Sequence, residues 1–144
     1  MTKKQITNKQ NIDIIFCLHP NMQAFVDLFN IPDYITVIRQ GEVDVQLLIK
    51  ESKLMITDYS SVAFDFSFLE KPVIYYPFDR YRFIGELPSH LDLDEELPGR
   101  IYDEAEDVIA ATKEYIDNNF VNEASIIKKA NNFVEHKDTD NSKR

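Results

Sequence analysis

Three hydroxyl side chains and two carboxylates follow a short apolar run near the middle of this sequence. They are Thr57, Asp58, Ser60, Ser61 and Asp65. An apolar strand that runs through such a turn into a helix places its hydroxyls beside the unpaired N–H groups of the first helical turn. That arrangement binds anions, typically phosphate. The segment therefore predicts a site for a phosphate-bearing ligand.

A plainer interpretation exists for each of these residues. Ser60 or Ser61 could serve only as the helix N-cap, and Asp58 could form an Asx-turn. Asp65 could be a solvated helix acid, although its phenylalanine neighbours favour a partly enclosed helix in which it accepts hydrogen bonds from ligand hydroxyls. The number of hydroxyl groups favours a ligand. A helix N-cap needs only one hydroxyl, whereas Thr57, Ser60 and Ser61 supply three.

His19 is the second candidate for chemistry. It ends an apolar run and is followed by Pro20, which restricts His19 to extended backbone angles. A histidine held in this way can act as a general acid–base or as a cationic partner for phosphate. A purely structural histidine is an equal alternative.

Several other kinds of site are absent from the sequence. With three glycines, the chain contains neither G-x-G-x-x-G nor G-x-x-x-x-G-K-[ST]. It has no G-x-S-x-G nucleophile motif, and its three histidines and one cysteine are scattered rather than clustered. We therefore expect no metal and no cofactor, and a phosphate held by hydroxyls and a helix terminus.

The elements that would position these residues alternate between strands and helices. The predicted strands are Ile12–Leu18, Tyr34–Ile38, Leu54–Thr57 and Val73–Tyr76. The predicted helices are Asn21–Phe29, Val43–Ser52, Ser61–Leu69, Asp103–Asn118 and Glu123–Glu135, the fourth opened by an Asp103–Glu106 capping box. Residues 77–102 read as an irregular loop.

This order predicts an α/β fold with a doubly wound, Rossmann-like parallel sheet, because amphipathic helices separate strands that are apolar on both faces. Residues 1–144 are expected to form one domain, with flexible residues 1–11 and a polar tail at 137–144. In such a sheet, ligands bind beyond the carboxyl ends of the strands. His19, Arg39–Gly41, Thr57–Ser61 and Pro77–Arg80 all follow strands, so they are expected at that edge.

Charge and composition limit the function. Sixteen basic against 25 acidic residues give a net charge of −9, which argues against nucleic-acid binding. The single cysteine, Cys17, lies in an apolar run and is expected to be buried. No hydrophobic leader follows Met1 and no apolar run reaches transmembrane length, so a cytoplasmic protein, at most peripheral to a membrane, is expected.

Four blocks of residues resemble the CDP-glycerol glycerophosphotransferase family, the teichoic-acid polymerases and primases. They are Leu18–Pro20, Leu54–Phe66 (LMITDYSSVAFDF), Lys71–Tyr76 (KPVIYY) and Leu97–Gly99 (LPG). The resemblance implies the C-terminal, nucleotide-binding half of a GT-B transferase whose N-terminal acceptor domain is missing from this chain.

The same resemblance implies a function and assigns residues to it. CDP-glycerol would be the donor, a membrane-anchored polyglycerol phosphate the acceptor, and CMP the leaving group, at the inner face of the cell membrane. His19 would be catalytic, near the donor pyrophosphate, and the donor would be bound by Thr57, Asp58, Ser60, Ser61 and Asp65. The stretch Arg80–His90 departs from the family pattern, and the chain alone is expected to bind nucleotide with little turnover.

Two alternatives remain open at this point. The chain could be a non-catalytic nucleotide-binding or scaffold remnant of the fold, or part of a GT-B glycosyltransferase that uses a nucleotide-sugar donor. Loss of nucleotide binding on substitution of Ser60 and Ser61 would separate a binding site from a mere helix cap. Competition between CMP and other nucleotides would separate the two donor classes.

Overall fold

A computed structural model describes residues 11–58, 60–77 and 97–135 of the chain. The chain divides into two compact units, residues 1–51 (unit 1) and 52–144 (unit 2), each considered by itself below. Most of the predicted flexible segment 1–11, the polar tail 137–144 and residues 78–96 of the predicted loop lie outside the described residues. The prediction of one domain over 1–144 stays a prediction.

Unit 1 is built on a pair of parallel strands. Its elements are β1 (Ile14–Cys17), a 3₁₀ helix (Pro20–Leu28), β2 (Ile35–Ile38) and α1 (Val45–Glu51). The strands pair in parallel register from Ile14 opposite Ile35 to Cys17 opposite Ile38. The predicted order of strand, helix, strand, helix is thus confirmed over this unit.

Two predictions for unit 1 are wrong. The helix after His19 is a 3₁₀ helix and not an α-helix, and none of its side chains is buried. Most of the stability of an α-helix in a protein comes from packing of an apolar face, which is missing here. Cys17 is exposed and not buried, because no described element covers the end of the strand it terminates. Partial desolvation still raises the pKa of the Cys17 thiol.

Unit 2 contains a three-stranded parallel sheet. Its elements are β3 (Met55–Thr57), α2 (Val62–Phe68), β4 (Val73–Tyr75), β5 (Arg100–Ile101), α3 (Ala105–Asp117) and α4 (Ala124–Glu135). The strand order is β3-β4-β5, with Met55 opposite Val73 and Ile74 opposite Arg100. The parallel α/β class is therefore confirmed; one doubly wound sheet formed from all the strands stays a prediction.

The core of unit 2 surrounds the central strand β4. Val73, Ile74 and Tyr75 are each at most 1% exposed, as expected for a parallel strand covered on both faces. Ile74 packs with Val108, Ala111 and Tyr115 of α3. The buried face of this helix also includes Ile116.

Two tyrosine hydroxyls are enclosed in unit 2. The hydroxyl oxygens of Tyr75 and Tyr115 have no hydrogen-bond partner among the described residues. Burial raises the pKa of each to about 12, so both stay neutral at physiological pH. The unpaired hydroxyls contribute no charge to the core.

Two further predictions are wrong in unit 2. Strand β5 lies inside the segment 77–102 that was expected to be irregular; two residues are too few to give a periodic pattern. The Asp103–Glu106 capping box does not form, because the residue that precedes α3 is Glu104, whose side chain makes no capping hydrogen bond.

Arg100 links β5 to α3 and to Glu123, the residue just before α4. Its guanidinium donates two hydrogen bonds of 3.0 Å to the carboxylate of Glu114 and one of 2.7 Å, from Nε, to Glu123. It also stacks 4.6 Å from the ring centre of Tyr115. The Arg100 side chain is only 17% exposed, so these contacts are partly shielded from water. The sequence analysis did not single out Arg100.

Candidate functional site

The hydroxyl-rich turn joins the carboxyl end of β3 to α2. The Oγ of Ser60 accepts a hydrogen bond of 3.3 Å from the backbone N–H of Val62, and the Ser60 carbonyl accepts one of 3.1 Å from Ala63. Ser61 already has helical backbone angles (φ −60°, ψ −27°), and its side chain makes no capping bond. Ser60 is therefore the cap, and the exposed Ser61 hydroxyl has no part in closing the helix.

Thr57 fixes the start of this turn. Its carbonyl accepts a 2.7 Å hydrogen bond from the N–H of Tyr76, which ties the turn to the end of β4. Its Oγ1 lies 3.5 Å from Oδ1 of Asp58, at the limit of a hydrogen bond. Among the described residues, neither Thr57 Oγ1 nor Asp58 Oδ1 has a closer side-chain partner that would compete with a ligand. Tyr59 lies outside the described residues.

Asp65 lies in the first turn of α2 and is exposed. The helix is partly enclosed, as expected, through a buried face formed by Ala63, Phe66 and Ser67. Asp65 lies on the remaining, solvent-facing part of the helix. It is accessible to ligand hydroxyls, although it is not desolvated.

Buried contacts hold α2 against the segment that precedes β5. The Ser67 hydroxyl, in a residue 2% exposed, lies 2.8 Å from the Ala63 carbonyl oxygen and 3.3 Å from that of Pro98. Gly99 packs so closely on β4 that a methyl group there would lie 2.6 Å from the Val73 carbonyl oxygen. No sequence pattern predicted the role of Ser67. Gly99 belongs to the Leu97–Gly99 block that resembles the family. These contacts position the backbone of the hydroxyl-rich turn.

His19 has a defined geometry in unit 1. Its backbone is extended (φ −57°, ψ 142°), as the following proline predicted, and it precedes the first residue of the 3₁₀ helix. Its Nδ1 accepts a hydrogen bond of 3.3 Å from the N–H of Asn21. Nδ1 thus acts as an acceptor, which assigns the proton of the neutral ring to the exposed Nε2. Nε2–H is then the group that can donate to an anion.

The other candidates at strand ends carry less chemistry. Gly41 has φ +85°, a conformation that favours glycine, and it ends the turn after β2 in which Arg39 N–H donates 2.9 Å to Glu42 Oε2. Pro77 is buried after β4, and Phe78–Arg80 lie outside the described residues. The structure thus brings Thr57, Asp58, Ser60, Ser61 and Asp65 together in unit 2, and it places His19 in unit 1.

Residues 11–58, 60–77 and 97–135 contain neither a metal-binding cluster nor a membrane-spanning helix. Within these ranges, no group of three or more histidine, cysteine, aspartate or glutamate side chains could hold a metal ion. None of the helices there is both long enough and apolar enough to span a bilayer.

A sequence profile described as CDP-Glycerol:Poly(glycerophosphate) glycerophosphotransferase matches residues 2–144. The chain belongs to this family. The minor teichoic acid biosynthesis protein GgaB of Bacillus subtilis (strain 168) is 31% identical over 97% of this chain and 15% of its own length. The teichoic acid glycerol-phosphate primase of the same strain is 30% identical over 75% of this chain and 28% of its own. The chain thus spans less than a third of either relative.

Solved structures of the wall teichoic acid polymerase TagF have a similar fold. One superimposes with a TM-score of 0.67 at 22% identity, over 93% of this chain and 32% of the polymerase chain. Another, of a variant soaked with CDPG, gives a TM-score of 0.65 at 23% identity, over 92% and 32%. The α/β fold found here is therefore one that a member of the teichoic acid polymerases also adopts.

Proposed function

We propose that this chain is the donor-binding part of a teichoic-acid glycerophosphotransferase and that it binds CDP-glycerol. The observation that carries the proposal, in a chain of this family, is that only one of two neighbouring serines is used to cap the helix. Ser60 caps α2, while the exposed Ser61 hydroxyl beside it makes no capping hydrogen bond among the described residues. In this proposal the hydroxyls of Thr57 and Ser61 donate hydrogen bonds to the donor diphosphate.

The remaining candidates differ in what supports their proposed roles. Asp58 and Asp65 are exposed carboxylates, which suit acceptance of hydrogen bonds from the hydroxyls of ribose or glycerol rather than contact with phosphate. The catalytic role proposed for His19 rests on the family resemblance and not on geometry; its Nδ1 accepts a hydrogen bond from the N–H of Asn21. The diphosphate would thus be met by the hydroxyls of Thr57 and Ser61, which do not need a basic patch.

The proposed reaction is transfer of glycerol phosphate from CDP-glycerol to a membrane-anchored polyglycerol phosphate, with CMP as the leaving group. Positioning of the two substrates and stabilisation of the developing negative charge by hydrogen-bond donors account for such a transfer without a covalent enzyme intermediate. The acceptor site would be supplied by polypeptide beyond these 144 residues. Because the acceptor is anchored, the proposed place of action is the inner face of the cell membrane, with the chain peripheral to it.

Calorimetric titration of CDP-glycerol and CMP into the folded chain tests this proposal. Both should bind, and Ser61→Ala should weaken CDP-glycerol binding about tenfold or more, the effect of a lost hydrogen bond to a charged group. Ser125→Ala, which removes an exposed hydroxyl on α4, is the matched control and should leave the affinity unchanged. Absence of binding, or equal affinity in Ser61→Ala and Ser125→Ala, would refute the proposed site. Tighter binding of a nucleotide sugar than of CDP-glycerol would refute the proposed donor.

A further inference from the structure

The 3₁₀ helix of unit 1 carries an exposed apolar ridge. Side chains three residues apart eclipse one another on a 3₁₀ helix, so Met22, Phe25 and Leu28 line up along one side. Their exposed fractions are 41%, 49% and 80%. Every residue of this helix is described, and none of its side chains is buried. We refer to these three residues as the apolar ridge.

The strand beside this helix is also uncovered. Ile15 and Phe16 of β1 are 40% and 37% exposed, and successive strand residues point to opposite faces. Both faces of β1 therefore present a large apolar side chain, whereas parallel sheets are ordinarily covered on both sides. The Phe16 ring contacts that of Phe29, just beyond the helix, edge to face at 6.1 Å. The exposed rings of Phe16 and Phe29 are thus adjacent and not scattered singly, which is typical of an interaction surface.

Charge restricts the partner that fits this surface. Residues 11–51 contain six acidic and two basic side chains, and the whole chain carries −9. A second copy of the chain or an anionic lipid surface would bring like charge against the ridge. A partner with an apolar stripe flanked by lysine or arginine would match both its apolar and its electrostatic character.

We propose that the apolar ridge is a docking surface for a basic amphipathic α-helix supplied by polypeptide outside these 144 residues. Relatives of the family have the length to supply one, because this chain spans only 15% of GgaB and 32% of the TagF polymerase chain. An amphipathic helix covers such a ridge with apolar side chains at three- and four-residue spacing, and its basic flanks meet the surrounding carboxylates. The proposal concerns unit 1 alone and does not depend on nucleotide binding.

A synthetic helix provides the probe. A fluorescent leucine–lysine peptide of about 18 residues, or about five helical turns, is titrated into the chain, and its anisotropy is followed. We expect saturable binding that falls at least about tenfold in both Leu28→Asp and Phe25→Asp. Each variant adds negative charge, so purely ionic attraction of the lysines would increase. A loss of binding therefore reports the apolar ridge.

The control is Val121→Asp, which places the same acid on a 63% exposed valine of unit 2 and should leave binding unchanged. A peptide of the same composition in scrambled order should not bind. Circular dichroism of each variant verifies that it is folded.

Several results would overturn the proposal. They include equal binding of the scrambled peptide, unchanged binding in both ridge variants, and an equal loss in Val121→Asp. Sedimentation showing a dimer that Leu28→Asp dissociates would assign the ridge to a second copy. Flotation with phosphatidylglycerol vesicles that Leu28→Asp abolishes would assign it to a lipid surface.

Discussion

Ser60 and Ser61 are neighbours in the chain, but their hydroxyls have different surroundings. The Ser60 hydroxyl accepts from the N–H of Val62, whereas that of Ser61 is exposed and makes no capping bond. The sequence predicts a serine cap, but not which serine, because a shift of one residue in the helix start exchanges their roles. Only the folded backbone decides between them.

This difference predicts unequal effects on stability. Ser60→Ala should lower the free energy of unfolding by about 1 kcal/mol, since it leaves the Val62 N–H without its acceptor. Ser61→Ala should lower it by less than about 0.5 kcal/mol, as for an ordinary surface substitution. Urea titrations of the two variants measure both values. A larger loss in Ser61→Ala than in Ser60→Ala would contradict this assignment of the cap.

The close packing around position 99 leaves room for glycine but not for a side chain. A methyl group there would lie 2.6 Å from the Val73 carbonyl oxygen and 2.7 Å from Cε2 of the buried Tyr75. We expect Gly99→Ala to destabilise the protein by about 1–3 kcal/mol, the usual effect of overpacking, as measured by thermal unfolding. Gly41→Ala, which meets no atom within 4 Å, is the comparison for backbone strain alone. If Gly99→Ala unfolds at the wild-type temperature, the close packing on β4 is wrong.

At the scale of elements, α2 ends in a conformation that its sequence does not favour. Glu70 follows the helix with φ +60°, and its N–H donates 2.9 Å to the Ser67 carbonyl. Glycine adopts this left-handed conformation without the steric penalty that other residues have.

Glu70→Gly should therefore raise the free energy of unfolding by up to about 1 kcal/mol. The measurement is the urea midpoint. The control is Lys113→Gly, at an exposed position inside α3, which should lower the free energy of unfolding by about 1 kcal/mol. Destabilisation by Glu70→Gly would show that the glutamate side chain itself is needed there.

The link from β5 to α3 makes stability depend on pH. Hydrogen bonds from Arg100, and then its charge, hold the pKa of Glu114 below the ordinary glutamate value. A carboxylate whose pKa is lowered by folding stabilises the protein above its unfolded pKa, about 4.3. This contribution is lost as the pH falls from that value through the folded pKa.

Below about pH 4.3, the free energy of unfolding of Glu114→Gln should therefore decrease less steeply with falling pH than that of the wild-type chain. Ser125→Ala, which removes no ionisable group, is the control and should retain the wild-type slope. Urea midpoints measured across the acidic range give the comparison. Parallel curves for Glu114→Gln and the wild type would mean that Arg100 does not bias the titration of Glu114.

At the scale of the whole molecule, apolar burial is unequally distributed. In the described part of unit 1, only Leu18 and Ile49 are buried apolar residues, whereas unit 2 has a continuous core around β4. Segments with little buried apolar surface open more readily than well-packed ones.

Amide hydrogen exchange should resolve this difference. The amides of β4 should exchange more than about tenfold more slowly than those of β1 under native conditions. Mass spectrometry of peptides that contain each strand gives the measurement. Equal protection would mean that both strands open only in global unfolding.

The extent of sequence-based prediction follows from the length and burial of each element. The run Val73–Tyr75 is apolar throughout because β4 is central, and such a run is readable in the sequence. The two-residue strand β5 gives no periodic signal. The apolar residues of this segment recur at both three- and four-residue spacing, so the 3₁₀ helix could not be distinguished from an α-helix. The exposure of Cys17 depends on what covers β1, which local sequence does not encode.

The candidate site was predictable to a similar degree. Its turn was located because hydroxyls after an apolar run form a local pattern. The exposure of Asp65 was not predicted, since it depends on which face of α2 packs against the unit. The tie from Ser67 to Pro98 joins residues 31 positions apart, and no local pattern reports it.

The hydrogen bond from Ser67 to the Pro98 carbonyl also holds one end of the segment that joins β4 to β5. Residues 76–99 connect two parallel neighbouring strands, and both ends of the connection are held: Tyr76 by the Thr57 carbonyl, and Pro98 by Ser67. A parallel connection needs only about a dozen residues, and the entropy of closing a loop changes slowly with its length. The positions of Tyr76 and Pro98 are therefore set by contacts within unit 2 and not by the length of the chain that joins them.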